Sequence, residues 1–160
     1  MSNWRLLGGL WALAFAAGCA TRVSVMSTHR ESVSSQAKVL AIAARNLEDS
    51  ISRNRAGAEQ EDAARAVQVF HAEAEEFARA AGRWLSEDNV NDRYEKLIEA
   101  WVKVKHTFAD LKPDRLTQDA YGRAQREWDK LARTTGYAGR TYEQQIEKNY
   151  QTTAPAAAKP

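Results

Sequence analysis

A chain of 160 residues with 23 basic and 21 acidic side chains, a net charge of +2 and a single cysteine is about one domain's worth of near-neutral protein. That balance argues against nucleic acid as a partner, and one cysteine excludes an internal disulfide, so packing alone must hold the fold. Ala, Arg, Glu and Leu dominate and proline is absent before Pro113, a composition suited to helices.

The first element is an address. Arg5, an apolar stretch from Leu6 to Ala17 and the small-residue approach Ala16-Ala17-Gly18-Cys19 follow the order of a signal peptide, which takes no part in a fold. A spanning helix needs roughly 20 apolar residues, and this run is shorter. Cleavage after Ala14-Phe15-Ala16, as in ordinary secretion, would leave an unpaired thiol in an oxidising compartment.

This segment resembles the signal peptide of bacterial lipoproteins, with Ala16 standing where that lipobox most often has Leu. The resemblance implies cleavage between Gly18 and Cys19, a diacylglycerol on the Cys19 thiol and an acyl chain such as palmitate on its new amino group. Ala20, in place of an aspartate after the cysteine, implies sorting to the outer membrane, with the periplasmic face of the inner membrane as the alternative. Each buried methylene contributes about 0.8 kcal/mol, and two or more chains hold a protein stably at a bilayer. Loss of the leader removes Arg5 and no acid, lowering the net charge by one.

Beyond the leader the apolar residues recur at alternating steps of four and three. Val33, Ala37, Leu40, Ala44, Leu47 and Ile51 form the first run; Ala63, Val67, Phe70, Ala74, Phe77, Ala81 and Trp84 form the second. Val90, Tyr94, Leu97, Trp101, Val104, Phe108 and Leu111 form the third, and Tyr121, Ala124, Trp128 and Leu131 a shorter fourth. An average step of 3.5 keeps one seam of a helix facing its partner, as in coiled coils and four-helix bundles. No stretch alternates with period two.

Punctuation separates the runs. Thr28 and Glu31 have capping-box spacing, Gly57 suits a helix end, and Ser86-Glu87-Asp88-Asn89 offers N-caps. Lys112-Pro113-Asp114 breaks the third helix, because proline lacks the amide and restricts the residue before it. Short connections predict an all-α, antiparallel up-down four-helix bundle with a lipid-anchored tether and a mobile C-terminal tail. The expected division is 1–18 signal peptide, 19–30 tether and first helix start, 31–150 bundle and 151–160 disordered tail. On the polar faces Glu61 and Arg65, Glu75 and Arg79, Asp92 and Lys96, Glu99 and Lys103, Asp119 and Arg123, and Asp129 and Arg133 place an acid four residues before a base. Such pairs contribute about 0.2 to 0.5 kcal/mol each on a solvated face.

Residues able to carry chemistry are scattered. His29, His71 and His106 lack the Glu-x-x-His and His-x-x-x-His spacings that put two ligands on one helix face, and Met26 with His29 or His106 has no supporting feature for a soft metal or haem. Glu73, Glu75 and Glu76 read as a solvated face before they read as a cation site. Neither a Gly-x-Ser-x-Gly nor a P-loop is present, and Cys19 is committed to lipid, so the expectation is a non-enzyme without metal or cofactor. Tyrosines gather late, with Tyr137, Tyr142 and Tyr150 beyond the heptads around Gly136 and Gly139, and these are the candidate partner-binding residues. On that reading the segment from Gly136 to Pro160 is removable with only modest loss of bundle stability.

Two functional classes follow. The first is a lipid-tethered interaction or scaffold module that binds another envelope protein and shows a filled core. The second is a helical-bundle binding protein for a small ligand, metal or unfolded client, of chaperone or sensor type, and it requires a cavity or groove.

Overall fold

The computed structural model describes residues 29–53, 58–84 and 86–153. Among them the chain is all-helical, with five helices and no strand: α1 (Arg30–Ser52), α2 (Ala58–Arg83), α3 (Glu87–Ala109), α4 (Arg115–Thr135) and α5 (Tyr137–Thr153). Gly18, Cys19, Met26, Thr28 and Gly57 lie outside the described residues, as do positions 154–160. No helix among the described residues is long and apolar enough to cross a membrane.

The heptad seams are the core. Every residue of the first run is buried, as is the second from Ala63 to Ala81 and the third from Val90 to Phe108. Burial extends past each seam to Ala43, Ala64, Ala66, Ile98, Val102, Ala120 and Ala132. A bundle helix touches two neighbours, and the apolar stripe widens accordingly. Two seam residues fall outside their helices. Trp84 follows α2 with φ +44° and donates its amide to Ala80 O at 2.7 Å, a left-handed cap, while Leu111 follows α3; both are half-buried.

Caps sit where the sequence breaks. Ser86 precedes α3 and its hydroxyl accepts from the Asn89 amide at 3.2 Å. Asp114 precedes α4, and its Oδ1 accepts from the Leu116 and Thr117 amides at 2.8 and 3.1 Å. The buried Thr117 hydroxyl donates to Asp114 Oδ2 and meets Ser50 Oγ at 3.2 Å, which ties the start of α4 to the end of α1.

Side-chain size sets the spacing of the helices. α1 lies against α2 and α4, α2 against α3, and α5 against both α3 and α4. Alanines such as Ala37, Ala44, Ala63 and Ala74 let the first two helices approach closely. The backbones of α3 and α4 barely approach, because large rings stand between them. Trp101 stacks on Trp128 and on Tyr121 at centroid distances of 5.6 and 5.8 Å, and Phe108 stacks on Tyr121 at 4.5 Å. Helices held apart in this way leave a trough between α3 and α4 along one side of the bundle.

α5 fills that trough. The four apolar runs end at Leu131, and the chain turns at Gly136, whose φ of +91° and ψ of −167° belong to a region essentially reserved for glycine, then returns as a fifth helix through Thr153. Its half-buried Tyr142 and Ile146 pack on the core, so the segment is not external to the bundle.

Candidate functional site at the junction of α3, α4 and α5

The groups with chemical potential converge where α5 meets the other two helices. Lys105 on α3 reaches two carboxylates on α5, Glu143 at 2.6 Å and Glu147. Their i, i+4 spacing aligns both acids along one face of α5, so a single ammonium meets them both. Burial opposes the charge on Lys105, but the two carboxylates prevail and hold its pKa above the ordinary value. Glu143 also accepts from Trp128 Nε1 at 3.3 Å, joining α3, α4 and α5 through one side chain.

Toward the start of α5, Gly139 lies directly on the ring of Tyr94, which is fully buried. The Tyr94 hydroxyl meets Thr135 Oγ1 at 2.6 Å, and Thr135 donates onward to Leu131 O at 3.0 Å. Tyr94 is therefore the donor in the first bond, and its hydroxyl pKa is pushed well up, by burial above all. Halfway along α5, Tyr142 donates to Glu99 Oε1 at 2.8 Å; burial, with Glu99 adding to it, raises its pKa also.

A cleft of about 240 Å³ opens beside these contacts. Trp101 and Trp128 form part of its wall, with Lys105, Gln125, Arg133, Arg140 and Glu143 around them. Trp101 Nε1 is buried without a hydrogen-bond partner. Both indoles are almost wholly buried, so the cleft presents mainly basic, acidic and amide groups, Asp129 and Glu143 among them.

The candidate tyrosines are dispersed along α5. Tyr142 is committed to Glu99, Tyr150 stacks on His106 at 5.0 Å and is 37 % exposed, and the Tyr137 side chain lies outside the described ones. His29 stands exposed at the start of α1. His71 Nδ1 bonds Glu48 Oε2 at 2.6 Å, while Glu75 Oε1 is 3.3 Å from Nε2 without hydrogen-bond alignment. The clustered acids Glu73, Glu75 and Glu76 of α2 diverge: Glu75 faces His71, Glu76 pairs with Arg79 at 2.8 Å, and Glu73 comes within 4.0 Å of Arg93 on α3. Among the described residues no group of three or more His, Cys, Asp or Glu is placed to hold a metal ion.

The spacing argument located one expected ion pair, Glu61 with Arg65 at 3.0 Å. The pairing of Arg79 with Glu76 and of Glu99 with Tyr142 was not foreseen. Nor was the Lys105 cluster, whose members are 38 and 42 residues apart and share no local pattern.

Comparison with protein-family models, with curated proteins and with solved structures finds no match for the chain.

Proposed function

We propose that the protein is a non-catalytic interaction module of a bacterial envelope, held at the membrane, with the outer membrane favoured over the inner, by a diacylglycerol and an N-acyl chain on Cys19. The address rests on Ala16-Ala17-Gly18-Cys19 and on the short stretch separating Cys19 from α1 at Arg30. Ten intervening residues span at most about 35 Å when extended, so the bundle would stand close to the lipid headgroups.

One observation carries the choice of an interaction role. The level at which a helical bundle would hold a cofactor is filled by rings in mutual contact, with Phe70 on Trp101 at 5.1 Å, Phe77 on Tyr94 at 5.2 Å and Trp101 on Trp128. Function then falls to the surface, where Ile42 is 62 % and Val39 41 % exposed on α1, and Tyr150 adds an aromatic on α5. These surfaces and the polar outer face of α5 are where another envelope protein would bind.

In this reading the first four helices run up, down, up and down. Support comes from contact pairs that step in opposite directions along neighbouring helices: Glu48 with His71 and Arg30 with Arg83, then Phe70 with Trp101 and Phe77 with Tyr94. Trp101 with Trp128 and Phe108 with Tyr121 extend the same pattern to α3 and α4.

A second reading, binding of a small ligand, is favoured by the cleft against Trp101 and Trp128 and by the unpartnered Trp101 Nε1. Fatty-acid labelling and fractionation of a Cys19→Ser variant test the address: label and membrane association should both disappear, and their persistence would refute it. Partners captured by cross-linking the acylated protein should be lost when Ile42 and Val39 are changed to Ser. Retention of the same partners would move the binding surface elsewhere.

A further inference from the structure

We propose that the trough between α3 and α4 accepts α5 from a second copy of this chain, so that two molecules exchange their fifth helices and form a closed dimer. The proposal does not depend on the lipid anchor.

Docking of α5 is made by a few directional contacts and little apolar burial. Lys105 with Glu143 and Glu147, Trp128 with Glu143, Tyr142 with Glu99, Tyr150 on His106 and the approach of Gly139 to Tyr94 are its main contacts, and Tyr142 and Ile146 are only half-buried. Each of the first four helices, by contrast, inserts a full row of buried side chains into the core. α5 is therefore the element that separates most readily, and the fold beneath it keeps its own core.

The connection decides where a separated α5 goes. α4 ends at Thr135 and α5 begins at Tyr137, so Gly136 is the whole linker. If Gly136 alone moves from its left-handed conformation to helical angles, α4 and α5 merge into one helix from Arg115 to Thr153. The 17 residues of α5 then project about 25 Å beyond the end of α4, out of reach of their own trough. A second copy presents an identical trough with Lys105 and Glu99 in place. Exchange re-forms each docking contact, so these cancel between monomer and dimer. The balance rests on the hinge, where merging satisfies amides and carbonyls left over at the two helix ends, against the entropy of association and the reluctance of glycine to be helical.

Gly136→Ala isolates that hinge. A Cβ at this position meets nothing within 4 Å, so the substitution acts through backbone conformation alone, disfavouring φ of +91° and favouring the helix. In sedimentation and light-scattering measurements the purified Gly136→Ala protein should dimerise at a concentration at least tenfold below that required by the unaltered protein, with helicity kept or increased. A monomer at every concentration, with helicity intact, overturns the proposal.

A charge exchange separates helix swapping from any other dimer. Lys105→Glu alone, and Glu143→Lys with Glu147→Lys in a second chain, each set like charges against one another in the trough. Mixed in equal amounts, both in the Gly136→Ala background and one carrying a tag, they should form a one-to-one heterodimer that neither forms as a homodimer, because both exchanged troughs regain opposite charges. Circular dichroism of each alone verifies that α1 to α4 are folded. A mixture without heterodimer, or a Gly136→Ala dimer that survives deletion of α5, refutes the exchange.

Discussion

Gly139 rests so closely on Tyr94 that a Cβ on the glycine would stand 2.8 Å from Cε1 of the buried ring and 3.0 Å from its hydroxyl. Tyr94 cannot retreat, since its ring is packed against Phe77 and Trp128 and its hydroxyl is held by Thr135. Gly139→Ala should therefore lift the first turns of α5 and destabilise the protein by about 1 to 3 kcal/mol, the usual cost of overpacking. Urea unfolding measures the loss, and amide exchange should localise it to α5. An unchanged midpoint would mean that α5 does not dock on Tyr94 in solution.

Trp101 tests the aromatic spine. It is 1 % exposed and meets Phe70, Tyr121 and Trp128, so Trp101→Ala should cost about 3 to 5 kcal/mol. Its Nε1 has no partner, so a ring without that donor forfeits only volume. Trp101→Phe should accordingly cost less than half as much. Equal losses for the two variants would show that the indole nitrogen is bonded, by a water or by a ligand in the neighbouring cleft.

Tyr94, Tyr142 and Lys105 all hold their protons more tightly in the fold than in the unfolded chain: burial raises both phenols, and for Lys105 the carboxylates outweigh burial. A raised folded pKa gives stability that is complete below the unfolded value and disappears as pH climbs toward the folded one, because only the unfolded state gains by losing the proton. Stability should hold up to about pH 9 and fall above about pH 10. Tyr94→Phe should make that fall shallower by up to about 1.4 kcal/mol per pH unit. Identical slopes with and without the Tyr94 hydroxyl would contradict its assignment as a buried, neutral donor.

The buried face of the first four helices was legible because it repeats. Val33, Leu40 and Leu47, or Tyr94, Trp101 and Phe108, are spaced by helix geometry itself, and the Ser86 cap is short-range chemistry. Trp84 satisfied the period yet lies past the helix end, since periodicity does not report where the backbone turns left-handed. α5 escaped the reading for a different reason. Its docking depends on Glu143 and Glu147 finding Lys105, and on Gly139 finding Tyr94, which only the spacing of α3 and α4 by their rings brings within reach. Partner choice among surface charges is similarly non-local: Glu99 has Lys103 one turn away and instead receives the hydroxyl of Tyr142, 43 residues on.

Asp114 combines three roles in one carboxylate. It caps two amides of α4 and accepts from Thr117, whose hydroxyl is buried and meets Ser50 on α1. Asp114→Ala should cost about 1 to 2 kcal/mol, at the upper end for an N-cap because Thr117 also loses its acceptor. Asp114→Asn keeps the Oδ1 acceptor and should recover most of the loss. If both variants unfold at the same urea concentration as the unaltered protein, the junction of α1 and α4 is not held by this carboxylate.

Termination after Gly136 removes α5 and asks whether the helix is ornament or lid. Without it Trp128 loses the acceptor for Nε1, Tyr94 loses its cover at Gly139, and Lys105 retains its charge beside apolar surface with both carboxylates gone. The seams of α1 to α4 remain complete, so the truncated chain should stay helical. It should nevertheless be less stable by about 2 to 4 kcal/mol, and tryptophan emission should shift to the red as water reaches Trp128. Added Lys105→Met should restore part of the loss, because an apolar side chain needs no carboxylate. A truncated chain with unaltered emission and midpoint would place α5 outside the cooperative unit.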